Sequence, residues 1–248
     1  MTLPVRHDRS FWNLKPDLTL KPLQAFANLC VEKNQPCTFF VVGAYALRYP
    51  ERVRWLSSLG FEIASHSMWH EDMSLKSVEE FRDDVRQSKA ILEDITQTAV
   101  LGFRAPSFSI LPSQLNLLYE EGYRYDASTS MSYRLYGGRN GREEHLLNDK
   151  GIARVPFIGH RIFGREITLS GGGYFRVVPP FMINRLCDNK SFNGFYFHPH
   201  DFVEGYQREE NINLRTHILR LLHVGDSLKK VSDCFDQLQL SPCGDILK

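Results

Sequence analysis

Two histidines four positions apart are the residues of this chain best spaced for metal chemistry. His66 and His70 follow an apolar run, and one helical turn or a tight loop would bring both imidazoles to one point, which suits a divalent metal such as zinc. The spacing is not an H-E-x-x-H motif, because the intervening Ser67, Met68 and Trp69 supply no carboxylate. Two unrelated loop histidines would be spaced in the same way, and the pair leaves a metal short of a third protein ligand.

Polar residues also follow directly after two other apolar runs of the sequence. Arg104 could hold a carboxylate or a substrate oxyanion through its planar guanidinium, or it could form a salt bridge at the rim of the fold. Pro106 stiffens the turn that follows, so the backbone N–H of Ser107 could be fixed as an oxyanion donor. Asp126 could orient a histidine or a ligand, although an Asp that opens a loop is commonly a turn residue.

A late apolar run ends in the sequence H-P-H-D, which begins at His198. This histidine follows three aromatic residues, a setting that suits a general acid near neutral pH and equally suits a structural histidine. Earlier in the chain, the three glycines 171–173 precede Tyr174 and Phe175, and together they offer bare backbone beside two aromatic faces. Sugar rings could stack there, whereas the G-x-x-x-x-G-K pattern of a phosphate loop is absent.

The elements that would position these residues alternate between helices and strands. Periodicity and end signals predict helices over residues 20–32, 50–59, 78–96, 113–121, 179–187 and 214–238. Short apolar runs predict strands over 37–43, 61–65, 100–103, 123–125 and 194–198, and the polar stretch 126–151 predicts a surface excursion. The alternation indicates an α/β fold with a parallel sheet, either open or closed as a barrel. The carboxyl ends of its strands could bring the polar residues together at one site.

The helix over 78–96 has the clearest signals. Ser77 and Glu80 have capping-box spacing at its start. One face, at steps of three and four, is formed by Phe81, Val85, Ser88, Leu92 and Ile95.

Composition excludes several classes of protein. The 248 residues carry 30 Lys and Arg against 29 Asp and Glu, and 42% of them are hydrophobic, as in ordinary globular domains. The net charge of +1 gives no general attraction to nucleic acid or to anionic membranes. Five cysteines without a C-x-x-C pair predict a reducing compartment. The N-terminus lacks a signal-peptide pattern and the most apolar stretch, 37–47, is about half of a membrane span. We therefore expect a cytoplasmic protein.

Taken in order, five segments resemble the polysaccharide deacetylases of the NodB-homology type, which are metal-dependent carbohydrate esterases. The matching segments are Cys37-Thr-Phe-Phe-Val-Val-Gly43, Gly60-Phe-Glu-Ile-Ala-Ser-His66 with His70, Gly102-Phe-Arg-Ala-Pro-Ser-Phe-Ser109, Gly122-Tyr-Arg-Tyr-Asp126 and Phe195-Tyr-Phe-His-Pro199. The resemblance is strongest to the subgroup of exopolysaccharide and O-antigen gene clusters, in which Gly171-Gly-Gly-Tyr-Phe-Arg176 also has a counterpart.

The resemblance implies a distorted (β/α)-barrel, commonly of seven strands, formed by a single domain over residues 1–248. The roles that it implies are His66 and His70 as ligands of a divalent metal, foremost Zn²⁺, Arg104 as the residue that holds the catalytic base, the Ser107 backbone as oxyanion donor, and His198 as the acid that protonates the leaving amine. Asp126 falls near the position that tunes this histidine. Tyr174 and Phe175 remain candidates for substrate contact.

One departure from the family pattern concerns the first motif, a pair of acidic residues at the end of the first barrel strand, of which one is the general base and the other the third metal ligand. No apolar strand ending in such a pair precedes Thr38, and Asp8 and Asp17 are isolated. We therefore hypothesise that the chain lacks the first strand of the barrel at its N-terminus. The strand over 37–43 should then have an open edge, and activity should be weak because the base is missing.

Three functions are compatible with these residues. The first is metal-dependent removal of N-acetyl, or alternatively O-acetyl, groups from a polysaccharide or glycan precursor. The second is carbohydrate binding by an inactive homologue of the deacetylases, and the third is hydrolysis of other non-peptide C–N bonds on the same scaffold. The fold does not separate these functions, and the sequence does not indicate the sugar, the linkage or the oligomeric state.

Overall fold

The structure, a computed structural model, describes Arg9, residues 19–128, 151–155, 160–162 and 165–167, Phe175, Pro179, and residues 194–202 and 226–248. The chain divides into two units. The first, called here the sheet unit, comprises residues 3–15, 36–156 and 241–248. The second unit comprises residues 1–2, 16–35 and 157–240.

The described helices follow one another along the chain as α1 to α6. Their bounds are α1 Leu20–Glu32, α2 Gly43–Arg48, α3 Pro50–Ser58, α4 Val78–Thr96, α5 Pro112–Glu120 and α6 Ser227–Phe235. Short 3-10 helices cover Met73–Leu75, Pro106–Phe108, Pro199–Phe202 and Cys243–Leu247. Helix α1 and helix α6 belong to the second unit, and the other four belong to the sheet unit.

The sheet unit is built on parallel strands that occur in the sheet in their order along the chain. The strands are β1 Thr38–Val41, β2 Glu62–Ser65, β3 Gly102–Phe103, β4 Tyr125–Asp126 and β5 Ala153–Arg154. Each strand pairs in parallel with the next, and Ser65, Phe103, Asp126 and Arg154 occupy one row across the sheet. The prediction of an α/β fold with a parallel sheet is therefore confirmed.

Within the described part of the chain, β1 pairs only with β2 and stands at one end of the strand order. The open edge expected for this strand stays a prediction, because most of the residues that precede α1 lie outside the described residues. Of the residues before β1, the structure describes Arg9 and residues 19–37. Asp8 and Asp17, the isolated acidic residues of this region, lie outside the described residues.

Helix α4 has the ends and the buried face that its sequence predicts. The Ser77 hydroxyl accepts a hydrogen bond from the Glu80 N–H at 3.2 Å, and the Glu80 carboxylate accepts one from the Ser77 N–H at 2.9 Å. The predicted face is buried, and Asp84 is buried with it. The helix ends where Gln97 adopts a left-handed conformation at φ 55°.

We expect Ser77→Ala to lower the free energy of unfolding by about 1 kcal/mol, because the Glu80 N–H loses its acceptor at the helix start. Ser77→Asn is the matched control, since its side chain restores an acceptor oxygen at the same place. Urea unfolding followed by circular dichroism measures both variants. Equal stability of the alanine variant and the wild type would show that the cap does not stabilise α4.

Hydrogen bonds connect the first residues of β1, β2 and β4 to the last residues of the sheet unit. We call this region, formed by Thr38, Glu62, Tyr125, Cys243 and Gly244, the floor of the sheet unit. Glu62 accepts hydrogen bonds from the hydroxyls of Thr38 and Tyr125 and, at 3.0 Å, from the N–H of Gly244. The N–H of Cys243 donates to the Thr38 hydroxyl at 2.7 Å. The 3-10 helix Cys243–Leu247 is thereby fixed against β1, β2 and β4.

The Tyr125 ring in this floor crosses over Gly102. A Cβ built on Gly102 would lie 2.0 Å from the Cζ and 2.1 Å from the hydroxyl oxygen of Tyr125, so glycine leaves the space that this crossing needs. The Tyr125 side chain and its neighbours Ala127, Ala153 and Val155 form a buried cluster against which Phe40 packs.

The second unit has an aromatic core of its own. The Phe26 ring on α1 stacks on the Phe202 ring with centroids 5.2 Å apart and contacts Phe197 and Phe235. Two further strands, β6 His160–Ile162 and β7 Arg165–Ile167, pair antiparallel in this unit. The Gln35 side-chain amide donates to the carbonyls of residues 235 and 238, which attaches the end of α1 to the end of α6.

The structure corrects the element boundaries in several places. The strand predicted over 37–43 ends at Val41, because Gly43 already begins α2, a helix that was not predicted. The strand predicted over 194–198 is reduced to a single bridge residue, Tyr196. The excursion after residue 128, the three glycines 171–173 and the helix predicted over 179–187 lie outside the described residues, apart from Gly151 and Pro179. Of the helix predicted over 214–238, only the part from residue 226 is described.

No helix in the described ranges is both long enough and apolar enough to cross a membrane.

Candidate functional site

The two histidines after β2 lie side by side in a tight loop. The His66 and His70 ring centroids are 4.9 Å apart, with the rings nearly perpendicular. The loop achieves this with left-handed backbone conformations at Ser67 (φ 65°) and His70 (φ 61°). Such conformations are uncommon for residues other than glycine and persist only when the surroundings enforce them. The tight loop, rather than a helical turn, therefore brings the imidazoles together.

The tautomer of His66 follows from its hydrogen bond. Its Nδ1 lies 2.7 Å from the backbone carbonyl oxygen of Arg104. Because a carbonyl can only accept, Nδ1 carries the proton and donates it, and Nε2 keeps its lone pair. A histidine fixed in this way by a carbonyl is the usual arrangement of a metal ligand.

The loop between the histidines is held by backbone contacts on several sides. The Ser67 hydroxyl accepts from the His70 N–H at 2.9 Å, and Asp84 on α4 accepts from the Met68 N–H at 2.7 Å. The carbonyls of Ser67 and Met68 accept from the first N–H groups of α2, each at 2.9 Å. Met68 itself is 2% exposed. These contacts supply the enforcement that the strained loop requires.

Asp84 belongs to a partly buried charge cluster behind the loop. Its Oδ2 lies 3.4 Å from the Lys76 Nζ, which also contacts the Glu71 carboxylate at 2.5 Å. The Arg9 Nε completes the cluster at 3.3 Å from Glu71. Burial raises the pKa of the Asp84 carboxyl, and the Met68 N–H and Lys76 oppose this shift. The ammonium group of Lys76 thus helps to keep an acceptor in place beneath the histidine loop.

We expect Asp84→Leu to destabilise the protein by about 1–3 kcal/mol, because the buried Met68 N–H loses its acceptor. If His66 and His70 bind zinc as the sequence predicts, the same change should weaken that binding by about 10–100-fold, since it releases the loop that orients them. Asp84→Asn keeps an oxygen that can accept from Met68 and is the matched control. Urea unfolding and competition with a chromophoric chelator measure the two effects. Unchanged zinc affinity in the leucine variant would contradict the positioning role.

Arg104 and Ser107 follow β3. The Arg104 Nε donates to the Ala127 carbonyl at 3.0 Å, and its guanidinium carbon lies 3.9 Å from the centroid of the Phe40 ring. Ser107 is exposed and has a left-handed conformation at φ 53° directly after Pro106. The turn is therefore sharply bent where the oxyanion donor was predicted, and the roles of both residues in catalysis stay predictions.

Asp126 is completely buried at the end of β4. Its Oδ1 accepts from the N–H of Ser128 at 3.1 Å and from the Ser128 hydroxyl at 2.5 Å, and its Oδ2 lies 3.2 Å from the Arg154 Nε. Burial raises the pKa of the Asp126 carboxyl, while Arg154 and Ser128 oppose the shift. Since neighbouring residues of a strand point to opposite faces, this side chain points away from the face that carries Tyr125. Its proposed effect on His198 stays a prediction.

His198 lies in the second unit beside a carboxylate. Its backbone N–H donates to the Asp201 Oδ2 at 2.8 Å, and its ring Nδ1 lies 3.8 Å from the same oxygen. The His200 Nε2 lies 3.6 Å from the Asp201 Oδ1, and the two histidine rings stack with centroids 5.1 Å apart. Burial alone would raise the pKa of Asp201, but the hydrogen bond from His198 and the charge of His200 lower it to about 2.

The aromatic residues predicted to contact substrate are only partly described. Phe175 is 2% exposed, and its ring lies edge-on against Phe195 and Phe197. It is a core residue of the second unit, and the stacking role predicted for it stays a prediction. Tyr174 lies outside the described residues.

Of the predicted residues, the structure thus places His66 in contact with both His70 and Arg104. The sequence did not predict the residues that hold the histidine loop, Ser67 and Asp84. It also did not predict the residues that contact Asp126, which are Ser128 and Arg154. For Asp84 a signal existed, because it is a charged residue on the buried face of α4. His200 and Asp201 stand in the H-P-H-D motif, in which a role was predicted only for the first histidine.

The segment that contains this loop matches a known family. Residues 22–125 match the model of the family described as polysaccharide deacetylase. We call residues 22–125 the deacetylase segment. The deacetylase segment includes β1 to β3, both histidines of the loop, Arg104 and Ser107. Residues 128–248 match a second model, described as a domain of unknown function (DUF3473).

A curated relative supports the assignment of the deacetylase segment. The chain is 39% identical over 80 residues to a chitooligosaccharide deacetylase of Bradyrhizobium sp. (strain ANU 289), which is 32% of this chain and 36% of that protein. The match therefore spans about a third of this relative's length.

Two solved structures share the fold. One is the PuuE allantoinase, with a TM-score of 0.58, 18% identity and coverage of 91% of this chain and 70% of that one. The other is the Bc1960 peptidoglycan N-acetylglucosamine deacetylase, with a TM-score of 0.56, 16% identity and coverage of 94% and 83%. At these identities the likeness concerns the fold, and it agrees with the distorted (β/α)-barrel class predicted for the deacetylases.

Proposed function

We propose that this chain takes part in the metal-dependent hydrolysis of acetyl groups, foremost N-acetyl groups, on a polysaccharide or glycan precursor. The observation that carries the proposal is the His66 and His70 pair at the carboxyl end of β2, with the His66 Nδ1 fixed by the Arg104 carbonyl. The family of the deacetylase segment and its chitooligosaccharide deacetylase relative support the choice of substrate class.

The donor set of the loop fits a divalent metal, and we propose zinc. The His66 Nε2 keeps its lone pair, and His70 is 7% exposed and lies next to it. Imidazole nitrogens are good ligands for Zn²⁺. When bound, such a metal would polarise the acetyl carbonyl and lower the pKa of a water molecule.

The remaining residues of the proposal act on the substrate or on protons. Arg104, stacked on Phe40, would position the acidic base of the reaction through the guanidinium nitrogens. The Ser107 N–H would donate to the oxyanion. His198, with Asp201 beside it, would protonate the leaving amine, and Asp126 would tune that proton transfer.

A second candidate is a carbohydrate-binding homologue without hydrolytic activity. Within the part of the chain that the structure describes, the group of three potential metal ligands is His198, His200 and Asp201, and it does not include His66 or His70. A site with two protein ligands should hold zinc more weakly than a complete one and would lack a carboxylate base. A hydrolase of other C–N bonds stays a third possibility on this fold.

Acetate release from N-acetylglucosamine oligomers tests the proposal. We expect weak release by the zinc-loaded protein, because the acidic pair of the first motif is missing, with loss of release after treatment with a chelator and recovery on zinc addition. Calorimetric titration with the same oligomers separates the candidates. Oligomer binding without acetate release, also in a protein extended upstream of Met1 by a strand with an acidic pair, would overturn the hydrolase and favour the binding homologue.

We further propose that residues 1–248 act as a single cytoplasmic domain in the synthesis of an exopolysaccharide or O-antigen. The support is the motif 171–176, which resembles that subgroup, and the five cysteines without a C-x-x-C pair, a pattern that fits a reducing compartment. Cell fractionation with an antibody against the chain measures the location, and recovery in the periplasmic or secreted fraction would contradict it.

A further inference from the structure

The second unit contains a cluster of potential metal ligands that the proposed reaction uses only in part. His198, His200 and Asp201 lie within four positions, and the 3-10 helix Pro199–Phe202 gathers their side chains. Each offers one ligand atom, and these three atoms all lie within 4.8 Å of one another. Among the residues described, this is the one group of three such side chains.

Two separations between potential ligand atoms approach those of a tetrahedral zinc site. Ligand atoms about 2.0–2.1 Å from a tetrahedral ion are roughly 3.3 Å apart. The Asp201 oxygens lie 3.6 Å from the His200 Nε2 and 3.8 Å from the His198 Nδ1. These separations exceed an ordinary hydrogen bond. Since the three ligand atoms lie within 4.8 Å of one another, a contraction of up to about 1.5 Å would bring them all to ligand spacing.

Burial and charge also favour a cation at this cluster. His200 is 8% exposed and Asp201 is 2% exposed. The His198 N–H donates to the Asp201 Oδ2 at 2.8 Å and so fixes the carboxylate with its Oδ1 toward His200. A buried anion with two adjacent imidazoles is a ligand set for a transition metal rather than for Mg²⁺ or Ca²⁺.

We propose that His198, His200 and Asp201 bind a divalent transition metal ion, with Zn²⁺ as the preferred ion. The site uses residues of the second unit alone. Two imidazoles and one carboxylate are the protein ligands of several zinc and iron sites, and they leave further coordination positions open. One consequence of this site rests on the proposed function. An ion bound here would occupy His198 and prevent it from donating a proton, so excess zinc should slow acetate release.

Zinc binding to the full chain tests the site without reference to activity. The starting protein is the variant His66→Ala/His70→Ala, which removes the other histidine pair. We expect this protein to bind one equivalent of zinc in competition with a chromophoric chelator. Adding His200→Gln or Asp201→Asn should weaken that binding at least tenfold, since each removes one of three ligands.

Asp233→Asn is the matched control, because Asp233 lies on α6 of the same unit with a side chain 45% exposed. It should leave zinc binding unchanged. Circular dichroism establishes that each variant is folded, and the absorption of a cobalt-substituted sample reports the ligand number directly. Absence of bound zinc in the His66→Ala/His70→Ala protein, or zinc that remains bound with the same affinity after the loss of both His200 and Asp201, would overturn the proposal. A failure of acetate release would leave these binding results untouched and would count only against the proposed function.

Discussion

Replacing His66 with alanine is expected to weaken zinc binding at the histidine loop by at least about 100-fold. Loss of a group that merely orients a ligand typically costs 10–100-fold in metal affinity, and His66 is a ligand itself in our proposal. Only His70 would remain of the pair. The measurement is best made in the Asp201→Asn background, so that the cluster at His198 contributes little to the zinc bound. Acetate release, where present, should fall with zinc affinity.

Trp69→Phe is the control for this prediction, because it alters the same loop without removing an imidazole. The Trp69 ring lies under the guanidinium of Arg9 at 4.9 Å, a contact that a Phe ring can keep. Its zinc affinity should therefore stay within a few-fold of the background protein. Equal zinc binding by the His66→Ala protein and the background protein would contradict a metal site in this loop.

Replacing Arg154 with methionine is expected to lower the free energy of unfolding by about 3–5 kcal/mol at neutral pH. The Arg154 Nε lies 3.2 Å from the completely buried Asp126 carboxylate, and Arg154 itself is 8% exposed. Methionine keeps much of the side-chain volume but leaves a buried carboxylate without this cation, and breaking a buried ion pair in this way carries a cost of that size. Urea unfolding at pH 7 measures it.

The destabilisation in Arg154→Met should grow with pH. Burial already raises the pKa of Asp126, with Arg154 opposing the shift, so the variant should raise this pKa further. A carboxyl whose pKa is higher in the folded than in the unfolded state lowers stability as pH rises above the unfolded value near 4. The difference between wild type and variant should therefore be small at pH 4 and full at pH 8.

A double variant separates the charge from the packing. Adding Asp126→Asn to Arg154→Met removes the second charge while the amide oxygen can still accept from Ser128. We expect it to recover more than half of the lost stability at pH 8 and to remove the added pH dependence. A loss in Arg154→Met that is equal at pH 4 and pH 8, and that is not recovered by Asp126→Asn, would show that packing is the cause.

Local features of the sequence predicted the parts of the fold that local forces determine. The ends of α4 agree with its capping box and its periodicity, because both act over three or four residues. The four-residue spacing of His66 and His70 predicted their proximity for the same reason. Strand ends were less accurate: Gly43, predicted to end a strand, begins α2 because its N–H finds an acceptor in the carbonyl of Ser67.

The contacts that the sequence could not predict are those that depend on strand register. The Arg104 carbonyl reaches His66 only because β2 and β3 are paired at Ser65 and Phe103. Arg154 meets Asp126 because β4 and β5 are paired at those two residues. Neither pairing has a signal in the nearby sequence, since a shift of one residue would present different side chains with the same local propensity.

The floor of the sheet unit has a consequence for the order in which this protein folds. Thr38 and Cys243 are 205 positions apart, and Glu62 and Gly244 are 182 apart, yet both pairs are hydrogen-bonded. Contacts of such high contact order form late, because the entropy of closing a long loop must be overcome first. During synthesis on the ribosome, Glu62 would lack its last donor until residue 244 has emerged, so the sheet unit can reach its native state only after residues 38–244 have been translated.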